Sequence, residues 1–359
     1  MRIVVACGGT GGHAFPGLAV AEVLRQRGHE VIVWDSGRDI ESSVMKSWSG
    51  DIFSTGARQL RFKNVFSIVH SFFRCRRQLK KRPADVLLAM GSYSSLPPVL
   101  AARSRKVRVV LHEANTVPGK AVDFLSRYAD RVAISFEATK RYLDAKKCVH
   151  TGLPVRAGMD QGHRFDFIPP GSFVLFITGG SQGAHAVNLL ASEAVVAFKR
   201  ELDRRAETGR VGPPLYVIHQ TGAADEASVI ATYASANVPA RVHAFENEMP
   251  NAFASADFVI ARAGASTCFE LAQCGKSVLF IPLPSAMRNH QHFNADAFAS
   301  KQAADEGIQG QLSSRQLSRY LVSVYDNPAR RERMSEAIRK LATPDAAERV
   351  ADLVEGKLS

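Results

Sequence analysis

The sequence lacks the features that mark membrane-spanning, disulfide-bonded and zinc-stabilised proteins. Its 359 residues contain no uninterrupted apolar run near the ~18 residues of a transmembrane helix. The five cysteines are odd in number and no pair has the CxxC spacing, so we expect buried, reduced thiols. The N-terminus runs into an apolar strand without a signal-peptide pattern, and we therefore expect a cytoplasmic protein.

Acidic residues are scarce in the first half of the chain. Residues 1–165 carry 27 Lys and Arg against 13 Asp and Glu, whereas the remainder carries 19 against 21. The whole excess of positive charge therefore lies in the first half. This asymmetry predicts a polyanionic partner for that half, either an anionic membrane surface or nucleic acid.

Two similar glycine-rich loops organise the chain. Gly8–His13 follows the apolar run Ile3–Ala6, and Gly179–Ala184 follows the apolar run Phe173–Ile177 in the same way. The other strand-like runs are Val31–Trp34, Val86–Met90, Val107–Leu111, Val132–Ile134, Leu215–Ile218, Arg241–Ala244, Phe258–Ala261 and Ser277–Ile281. Because they alternate with helical patterns, we predict an α/β fold with a parallel sheet in each half. Ligands then bind beyond the carboxyl ends of the strands.

The length suits two domains, and a stretch rich in Gly and Pro separates them. We expect an N-terminal domain over residues 1–155, a linker over 156–171 and a C-terminal domain over 172–340. A last helix is expected within residues 341–359. The polar segment Glu201–Pro214 is predicted to be a long surface loop.

His13 is the candidate general base of the first half. It ends the first glycine loop, whereas Gly91–Tyr93 and His112–Asn115 follow other strands and should converge on the same crevice. A structural histidine is the alternative. The glycine loop also fits the dinucleotide pattern GxGxxG/A, with Asp35 at the distance of a ribose-binding acid, so an NAD-dependent oxidoreductase is a second possibility.

The segment Val65–Arg82 combines apolar residues in its first turns with basic residues in its last. This pattern is typical of a helix that lies on an anionic bilayer. The alternative is a core helix with a solvated basic end. Arg61 belongs to a basic loop before this helix, where it could touch an anionic acceptor.

The segment between Arg262 and Asn294 carries the densest polar chemistry of the second half. Ser266 or Thr267 could cap a helix after the loop at Gly264, and Glu270 on its first turn could accept two ribose hydroxyls. The alternative for Glu270 is a carboxylate that complements the helix dipole. The His, Gln and Asn residues of the run His290–Asn294 are types that bind sugar hydroxyls. His290 and His292 are two apart on a helix and are poorly placed to chelate a metal.

These motifs together resemble the MurG family of bacterial transferases, which move N-acetylglucosamine from UDP-GlcNAc onto lipid I to give lipid II. The matching stretches, in family order, are GGTGGHAFPGLAVA from Gly8, AMGSYSS from Ala89, LHEANTVPG from Leu111, GLPVR from Gly152, GGSQGAHAVN from Gly179, RAGASTCFELAQCGK from Arg262 and NHQHFNA from Asn289. The resemblance implies a GT-B architecture, in which two Rossmann-like domains face a cleft. The acceptor binds to the first domain, the donor to the second, and the last helix crosses back onto the first.

The resemblance also implies roles for individual residues. The catalytic residues would be His13 and Glu113. Donor-binding residues would be Thr10, Gly11, Gly12, Asn115, Arg156, Ser181, Gln182, Gly183, Phe245, Glu246, Ala265, Ser266, Glu270, His290 and Gln291. Acceptor-binding residues would be His13, Tyr93, Glu113, Asn115 and Arg61. Phe66, Val69, Phe72 and Phe73 would meet the membrane.

The chain departs from the family pattern at four of these places. Ser92 and Gln59 stand where the family commonly has Gly, Glu246 stands at an often aliphatic position beside the uracil, and His290 replaces a common Gln. A backbone contact to uracil would tolerate Glu246, whereas Gln291 becomes the safer contact to the sugar.

The implied reaction is a single in-line displacement with inversion. No Asp-x-Asp motif lies near the donor loop, so backbone N–H groups and helix N-termini are expected to stabilise the leaving UDP without a metal or other cofactor. The implied partners are UDP-GlcNAc, lipid I, an anionic membrane surface on the cytoplasmic side, and other cell-wall synthesis and division proteins, but not nucleic acid. Another UDP-sugar enzyme, such as a glycolipid transferase or a UDP-GlcNAc 2-epimerase, is the nearest alternative.

Overall fold

The structure is a computed structural model that describes residues 1–9, 11–37, 45, 48–57, 65–180 and 183–358. The chain divides into two compact units. The first comprises Met1–Ala157 together with the chain from Thr343 onward, and the second is Gly158–Ala342. Each unit is built on its own parallel sheet, as the alternation of strand and helix patterns predicts.

The strands and helices follow the chain in strict alternation over most of its length. The strands are β1 (Arg2–Ala6), β2 (Glu30–Asp35), β3 (Asp51–Ser54), β4 (Val86–Ala89), β5 (Arg108–Glu113), β6 (Arg131–Ile134), β7 (Cys148–His150), β8 (Phe173–Thr178), β9 (Leu215–Gln220), β10 (Ala240–His243), β11 (Phe258–Ala261), β12 (Val278–Phe280) and β13 (Asp305–Glu306). The α-helices are α1 (Gly11–Gln26), α2 (Val65–Lys81), α3 (Leu96–Ser104), α4 (Lys120–Leu125), α5 (His185–Glu207), α6 (Glu226–Ser235), α7 (Met249–Ser255), α8 (Ala265–Cys274), α9 (His290–Ala299), α10 (Ser314–Tyr325), α11 (Pro328–Arg339) and α12 (Ala346–Glu355).

The sheet of the first unit has the order β3-β2-β1-β4-β5-β6-β7, with every neighbouring pair parallel. The inner strand β1 is buried on both faces. Val4 packs with residues of α2, α3 and α4, whereas Ile3 and Val5 pack with residues of α1 and α12 on the other face. A sheet covered by helices on both faces explains why its inner strands are continuous apolar runs rather than alternating ones.

The last helix, α12, packs against α1 within the first unit. Arg108 donates from both terminal guanidinium nitrogens to the carbonyls of Leu353 and Val354, each at 2.9 Å, and so binds the carbonyl end of α12. Glu355 is half-buried, and although burial raises its pKa, hydrogen bonds from His29, Lys357 and Arg27 lower it overall to about 2. The end of α12 is therefore held by both backbone and ionic contacts.

The sheet of the second unit has the order β10-β9-β8-β11-β12-β13 and is also parallel. Residues 158–171 contain no helix or strand and belong to this unit, where Phe165 stacks on Phe167 with ring centroids 4.8 Å apart. The guanidinium of Arg241 lies 4.7 Å and 5.0 Å from the same two ring centroids. Ring and cation contacts therefore attach this irregular segment to the strand β10.

The prediction of a loop over Glu201–Pro214 is wrong for the first half of that segment. Helix α5 continues to Glu207, and irregular structure begins only at Thr208. Ion pairs such as Glu201–Arg205 and Lys199–Asp203, four residues apart, stabilise these polar turns, while Leu202 packs against the core. A polar composition was therefore a poor guide to the end of this helix.

All the predicted strands are present, with ends shifted by at most two residues, but three further strands of the described residues were missed. β3, β7 and β13 are only two to four residues long and lie near or at a sheet edge. Segments this short carry too few apolar residues to be recognised by pattern. All five cysteines are free. Among the described helices, none combines the length and apolarity needed to cross a bilayer.

Candidate active site

In the first unit, the loops that follow β1, β4 and β5 meet at the carboxyl edge of the sheet. The hydroxyls of Ser92 and Ser94 each donate to the carbonyl of Gly8 at 2.6 Å. A Cβ at Gly91 would lie only 2.6 Å from the carbonyl oxygen of His112, so the glycine allows the second and third loops to touch. The expected convergence of the three loops is present. Ser92, a departure from the family pattern, is one of the two serines that link the first two loops.

His13 lies in the first turn of α1, directly above these loops. Its side chain is half-buried, and burial lowers the pKa of its imidazole to about 4. The ring is therefore neutral at pH 7. A neutral imidazole can accept a proton, but a pKa this far below 7 makes it a weaker base than an ordinary histidine, so the role of general base stays a prediction.

Glu113 ends β5 and is buried. One carboxylate oxygen accepts hydrogen bonds from the backbone N–H and the side-chain amide of Asn115, at 2.8 Å and 3.1 Å, and the other accepts from the N–H of Gly119 at 3.0 Å. Burial raises the pKa of Glu113 to about 7, although these hydrogen bonds oppose the shift. In this structure the carboxylate shapes the loop 113–119, and its predicted catalytic role stays a prediction.

Two other predicted residues of the first unit lie near His13 or beside the loops. The guanidinium of Arg156 stacks over the ring of Phe15 in α1, 4.7 Å from its centroid. Tyr93 begins a short 3-10 helix, Tyr93–Ser95, and is half-buried. Arg156 is thus held against Phe15, which lies two residues after His13 in sequence.

Several predicted contacts lie outside the described residues. They are Thr10, Arg61, Ser181 and Gln182. Gly11 and Gly12, which the resemblance assigns to the donor, form the start of α1.

In the second unit, the glycine loop after β8 is fixed by strand β9. The side chain of Gln220 donates to the carbonyl of Gly180 at 3.3 Å and accepts from the hydroxyl of Thr178 at 3.1 Å. Gly183 has φ of +72°, and a Cβ there would lie 2.0 Å from the carbonyl oxygen of Thr221. The loop therefore needs glycine at position 183 for both conformation and space.

The loop after β11 differs from the prediction in its helix cap. Gly264 is the N-cap of α8, with no side-chain capping bond, and Ser266 lies inside the helix with Thr267. Because Ala265 is the first helical residue, Glu270 falls on the second turn rather than the first. Its side chain is largely buried, with 8% of the residue exposed. The uncapped N–H groups at the start of α8 remain available to an anionic group of a ligand.

The predicted sugar-binding residues lie at the start of α9. The Nδ1 of His290 is 2.9 Å from the carbonyl oxygen of Met287, and the side-chain oxygen of Gln291 accepts from the N–H of Leu283 at 2.9 Å. Arg288 and Asn289 before them have φ of +53° and +55°. Left-handed backbone at two consecutive non-glycine residues costs roughly 1–2 kcal/mol each. Strain of this kind is concentrated at ligand-binding sites.

Phe245 and Glu246 follow β10, and their side chains point to different environments. Phe245 is exposed, whereas Glu246 is buried. One oxygen of Glu246 accepts from the N–H of Glu248 at 2.7 Å, and the other lies 2.9 Å from Nε2 of His243. Although burial raises it, the pKa of Glu246 is lowered overall by these contacts. The carboxylate of Glu246 is thus bound within its own loop. The backbone of Glu246 is the group that remains able to contact a uracil ring.

Two residues that hold the site together were not predicted to do so. Arg262 is buried and donates to the carbonyls of Ile281 and Pro282, at 2.9 Å and 3.0 Å. The amide of Asn294 donates to the carbonyl of Ala263 at 3.1 Å. Both tie the loop after β11 to the segment that begins α9. The only sequence signal was a charged and an amide residue within otherwise apolar surroundings.

Helix α2 has one buried face and one exposed face, and the exposed face carries both apolar and basic residues. Cys75 and Leu79 are buried against the first sheet, and Phe72 packs on the same core. Phe66, Val69 and Phe73 are exposed on the helix, with Phe66 89% exposed. The basic residues of the helix are Arg74, Arg76, Arg77, Lys80 and Lys81, and they are also exposed. The membrane assignment of Phe72 is therefore weaker than that of the other three.

Among the residues that the structure describes, no cluster of three or more His, Cys, Asp or Glu side chains could hold a metal ion. His292, which resembles a ligand in sequence, instead contacts Glu306 at 2.6 Å.

Family models match both units. The model of the glycosyltransferase family 28 N-terminal domain matches residues 3–134, and that of the C-terminal domain matches residues 174–350. A protein of Geobacter metallireducens is 34% identical over 98% of this chain and 97% of its own length. Its name is UDP-N-acetylglucosamine--N-acetylmuramyl-(pentapeptide) pyrophosphoryl-undecaprenol N-acetylglucosamine transferase. A protein of Pelobacter propionicus with the same name is 35% identical over 98% of each chain.

Solved structures give a consistent picture. The crystal structure of Acinetobacter baumannii MurG superimposes with a TM-score of 0.78 at 30% identity and covers 99% of both chains. A UDP-GlcNAc 2-epimerase from Neisseria meningitidis, solved with UDP-GlcNAc, has a TM-score of 0.71 and 14% identity over 99% of this chain and 100% of its own. At that identity the second likeness concerns the fold alone.

Proposed function

The chain belongs to the MurG glycosyltransferases of family 28, and from this premise we propose that it transfers GlcNAc from UDP-GlcNAc to the C4 hydroxyl of N-acetylmuramic acid in lipid I, giving lipid II. The observation that carries the proposal is the near full-length identity of about a third to relatives named for this reaction. The 2-epimerases share only the fold.

The proposed chemistry is an in-line displacement that inverts the anomeric carbon. His13 takes the proton of the acceptor hydroxyl as the oxygen attacks. Its ring is neutral and so able to accept this proton, although the lowered pKa of about 4 makes it a weaker base than an ordinary histidine. The departing UDP is stabilised by N–H groups of the loop after β8 and by the uncapped start of α8. Burial of Glu113 and its bonds to Asn115 support a function in shaping the acceptor loop.

The donor is proposed to lie across the carboxyl edge of the second sheet. Glu270 would accept the ribose hydroxyls, the backbone at Glu246 would bind uracil, and Gln291 would bind the sugar. The side-chain oxygen of Gln291 accepts from the N–H of Leu283. The side-chain nitrogen of Gln291 would therefore be the group that contacts a sugar hydroxyl. The inward turn of the Glu246 carboxylate supports a backbone contact.

The reaction itself is tested by supplying UDP-GlcNAc and a soluble lipid I analogue to the purified protein and identifying the product by mass spectrometry. A product that gains the mass of one N-acetylhexosamine supports the proposal. Conversion of UDP-GlcNAc to its 2-epimer without acceptor would instead support the epimerase alternative.

Replacing Glu270 by alanine should weaken UDP-GlcNAc binding by about 10–150-fold, because a hydrogen bond to a charged group contributes ~1.5–3 kcal/mol. Isothermal titration of wild type and variant measures the change. Glu193→Ala, which removes an exposed carboxylate from α5, is the matched control and should bind as wild type. Normal donor affinity in Glu270→Ala would refute the ribose assignment.

We also propose that the exposed face of α2 attaches the protein to the cytoplasmic surface of an anionic membrane, where a lipid-linked acceptor is found. Phe66 and Phe73 would enter the headgroup region while the neighbouring basic residues contact anionic lipid. The excess positive charge of the first half of the chain supports the same orientation.

Replacing Phe66 and Phe73 together by serine should lower the partition coefficient onto phosphatidylglycerol vesicles at least tenfold, since each buried aromatic contributes up to ~1.5–3 kcal/mol. Vesicle co-sedimentation measures this. Val211→Ser, which removes an equally exposed apolar side chain from the second unit, should have no effect. Equal binding by the double variant would assign α2 a purely structural role.

A further inference from the structure

A chain of polar side chains runs through the second unit and ends at an exposed histidine beside the glycine loop after β8. His185 is the first residue of α5, and its side chain is 71% exposed. Its Nδ1 lies 2.7 Å from a carboxylate oxygen of Asp225, a residue that is buried. The other oxygen of Asp225 accepts from the amide of Asn188 at 2.7 Å.

The hydrogen-bond directions in this chain are determined by its fixed acceptors. The amide nitrogen of Asn188 faces two acceptors, Asp225 and the carbonyl of Thr221 at 2.7 Å, so its oxygen must face Nε2 of His219 at 3.2 Å. His219 therefore donates from Nε2 and accepts from the hydroxyl of Tyr233 through Nδ1, at 2.9 Å. Burial lowers the pKa of His219 to about 3, which agrees with a neutral ring.

These hydrogen bonds allow the imidazole ring of His185 only one orientation. Asp225 can only accept, so the Nδ1 of His185 carries a hydrogen and its Nε2 points away from the core. The buried members of this hydrogen-bonded series, Asn188 and His219, are fully inaccessible to solvent. An exposed histidine would otherwise rotate freely, and ordering it costs side-chain entropy. The hydrogen bond to Asp225 offsets this cost by holding the ring of His185 in place.

The position of His185 indicates which ligand chemistry it meets. It follows Ala184 at the end of the glycine loop, and that loop touches the end of β9 where Gly183 abuts Thr221. Asp225 lies just beyond the same strand end. The imidazole is thus held at the carboxyl edge of the parallel sheet, where ligands of such sheets bind. A protonated imidazole presenting Nε2–H suits an oxyanion.

We propose that His185 is a donor-binding residue that contacts the diphosphate of the nucleotide sugar, with Asp225 and Asn188 as its positioning residues. The inference rests on the proposed function, because it requires a UDP-sugar donor. The contact is made by the side chain and is separate from the N–H groups of the loop. In its imidazolium form it donates from Nε2 to a diphosphate oxygen of the donor and of the UDP product.

The test compares the affinities of UDP and uridine by isothermal titration. In His185→Ala the affinity for UDP should fall about tenfold or more, because a charge-assisted hydrogen bond to phosphate is lost, whereas the affinity for uridine should change less than twofold. His185→Arg, which keeps a positive charge, should bind UDP within about threefold of wild type. His163→Ala removes another exposed histidine of the second unit and should match wild type for both ligands.

Unchanged UDP affinity in His185→Ala would overturn the inference, and so would an equal loss of UDP and uridine affinity, which indicates a general disturbance of the site. If wild type bound neither UDP nor uridine, the proposed donor itself would be refuted. The comparison of ligands on wild type therefore separates failure of the proposed function from failure of the role of His185. Because His185 is exposed, the variants should fold, and circular dichroism verifies this.

Discussion

Replacing His13 by alanine should lower kcat by about 10²–10⁴-fold, the usual contribution of a general base. The affinity for UDP-GlcNAc should change less than twofold, because the proposed donor contacts of the second unit are untouched. Turnover is measured with a lipid I analogue, and donor affinity by titration. An interaction made only with the reacting hydroxyl lowers kcat without weakening donor binding.

The pH dependence gives a second measurement on His13. A histidine at its ordinary pKa would lose activity as the pH falls below about 6.5. Burial holds the pKa of His13 near 4, so the ring stays neutral from pH 8 down to pH 6 and its titration should not limit kcat/KM in that range. His163→Ala serves as the control and should retain full turnover. Wild-type turnover in His13→Ala would remove His13 from the mechanism.

The second large effect is expected at Gly183. An alanine there would have to adopt a φ of +72° and to place its Cβ 2.0 Å from the carbonyl oxygen of Thr221. Since that oxygen belongs to the backbone, the glycine loop must move instead. A displacement of about 1 Å in a positioning element costs roughly 100-fold in rate, and we expect kcat/KM for UDP-GlcNAc to fall by at least this factor in Gly183→Ala.

Gly209→Ala is the matched control for this prediction. Gly209 has φ of +80°, and an added Cβ would meet no atom within 4 Å. Both variants therefore carry the strain of left-handed backbone, but only Gly183→Ala carries the clash. Thermal unfolding of the two shows how much stability is lost, and kcat/KM should fall only in Gly183→Ala. Similar kinetics for both would mean that the close contact with Thr221 is unimportant for the donor loop.

Much of the fold could be predicted because its signals are local. The apolar runs at β1 and β8, each followed by glycines and a helical pattern, indicate a βα unit by themselves. The same reasoning failed for β3, β7 and β13, which are short, and for the end of α5. There, ion pairs and contacts of Leu202 with the core extend a helix that composition alone suggested had ended.

The candidate site was predictable in its residue types but not in its contacts. The motifs indicated that Glu113 and Glu246 matter, yet both carboxylates are turned into their own loops. The helix at Gly264 begins without a side-chain cap, although Ser266 was available. Ser92 acquires a role only because the carbonyl of Gly8 lies opposite it. Each of these outcomes depends on a partner from another segment.

The sequence alone determined that this protein has two α/β halves, a glycine loop at the start of each and an excess of positive charge in the first, because these properties are set by residue type and short-range spacing. Only the tertiary structure decided which way the polar side chains of the site point. His185 is oriented by a chain of residues more than thirty positions apart, and His13 is neutral because of the groups that bury it. Hydrogen bonds and desolvation act through space, and the order of residues along the chain does not specify which groups will face one another.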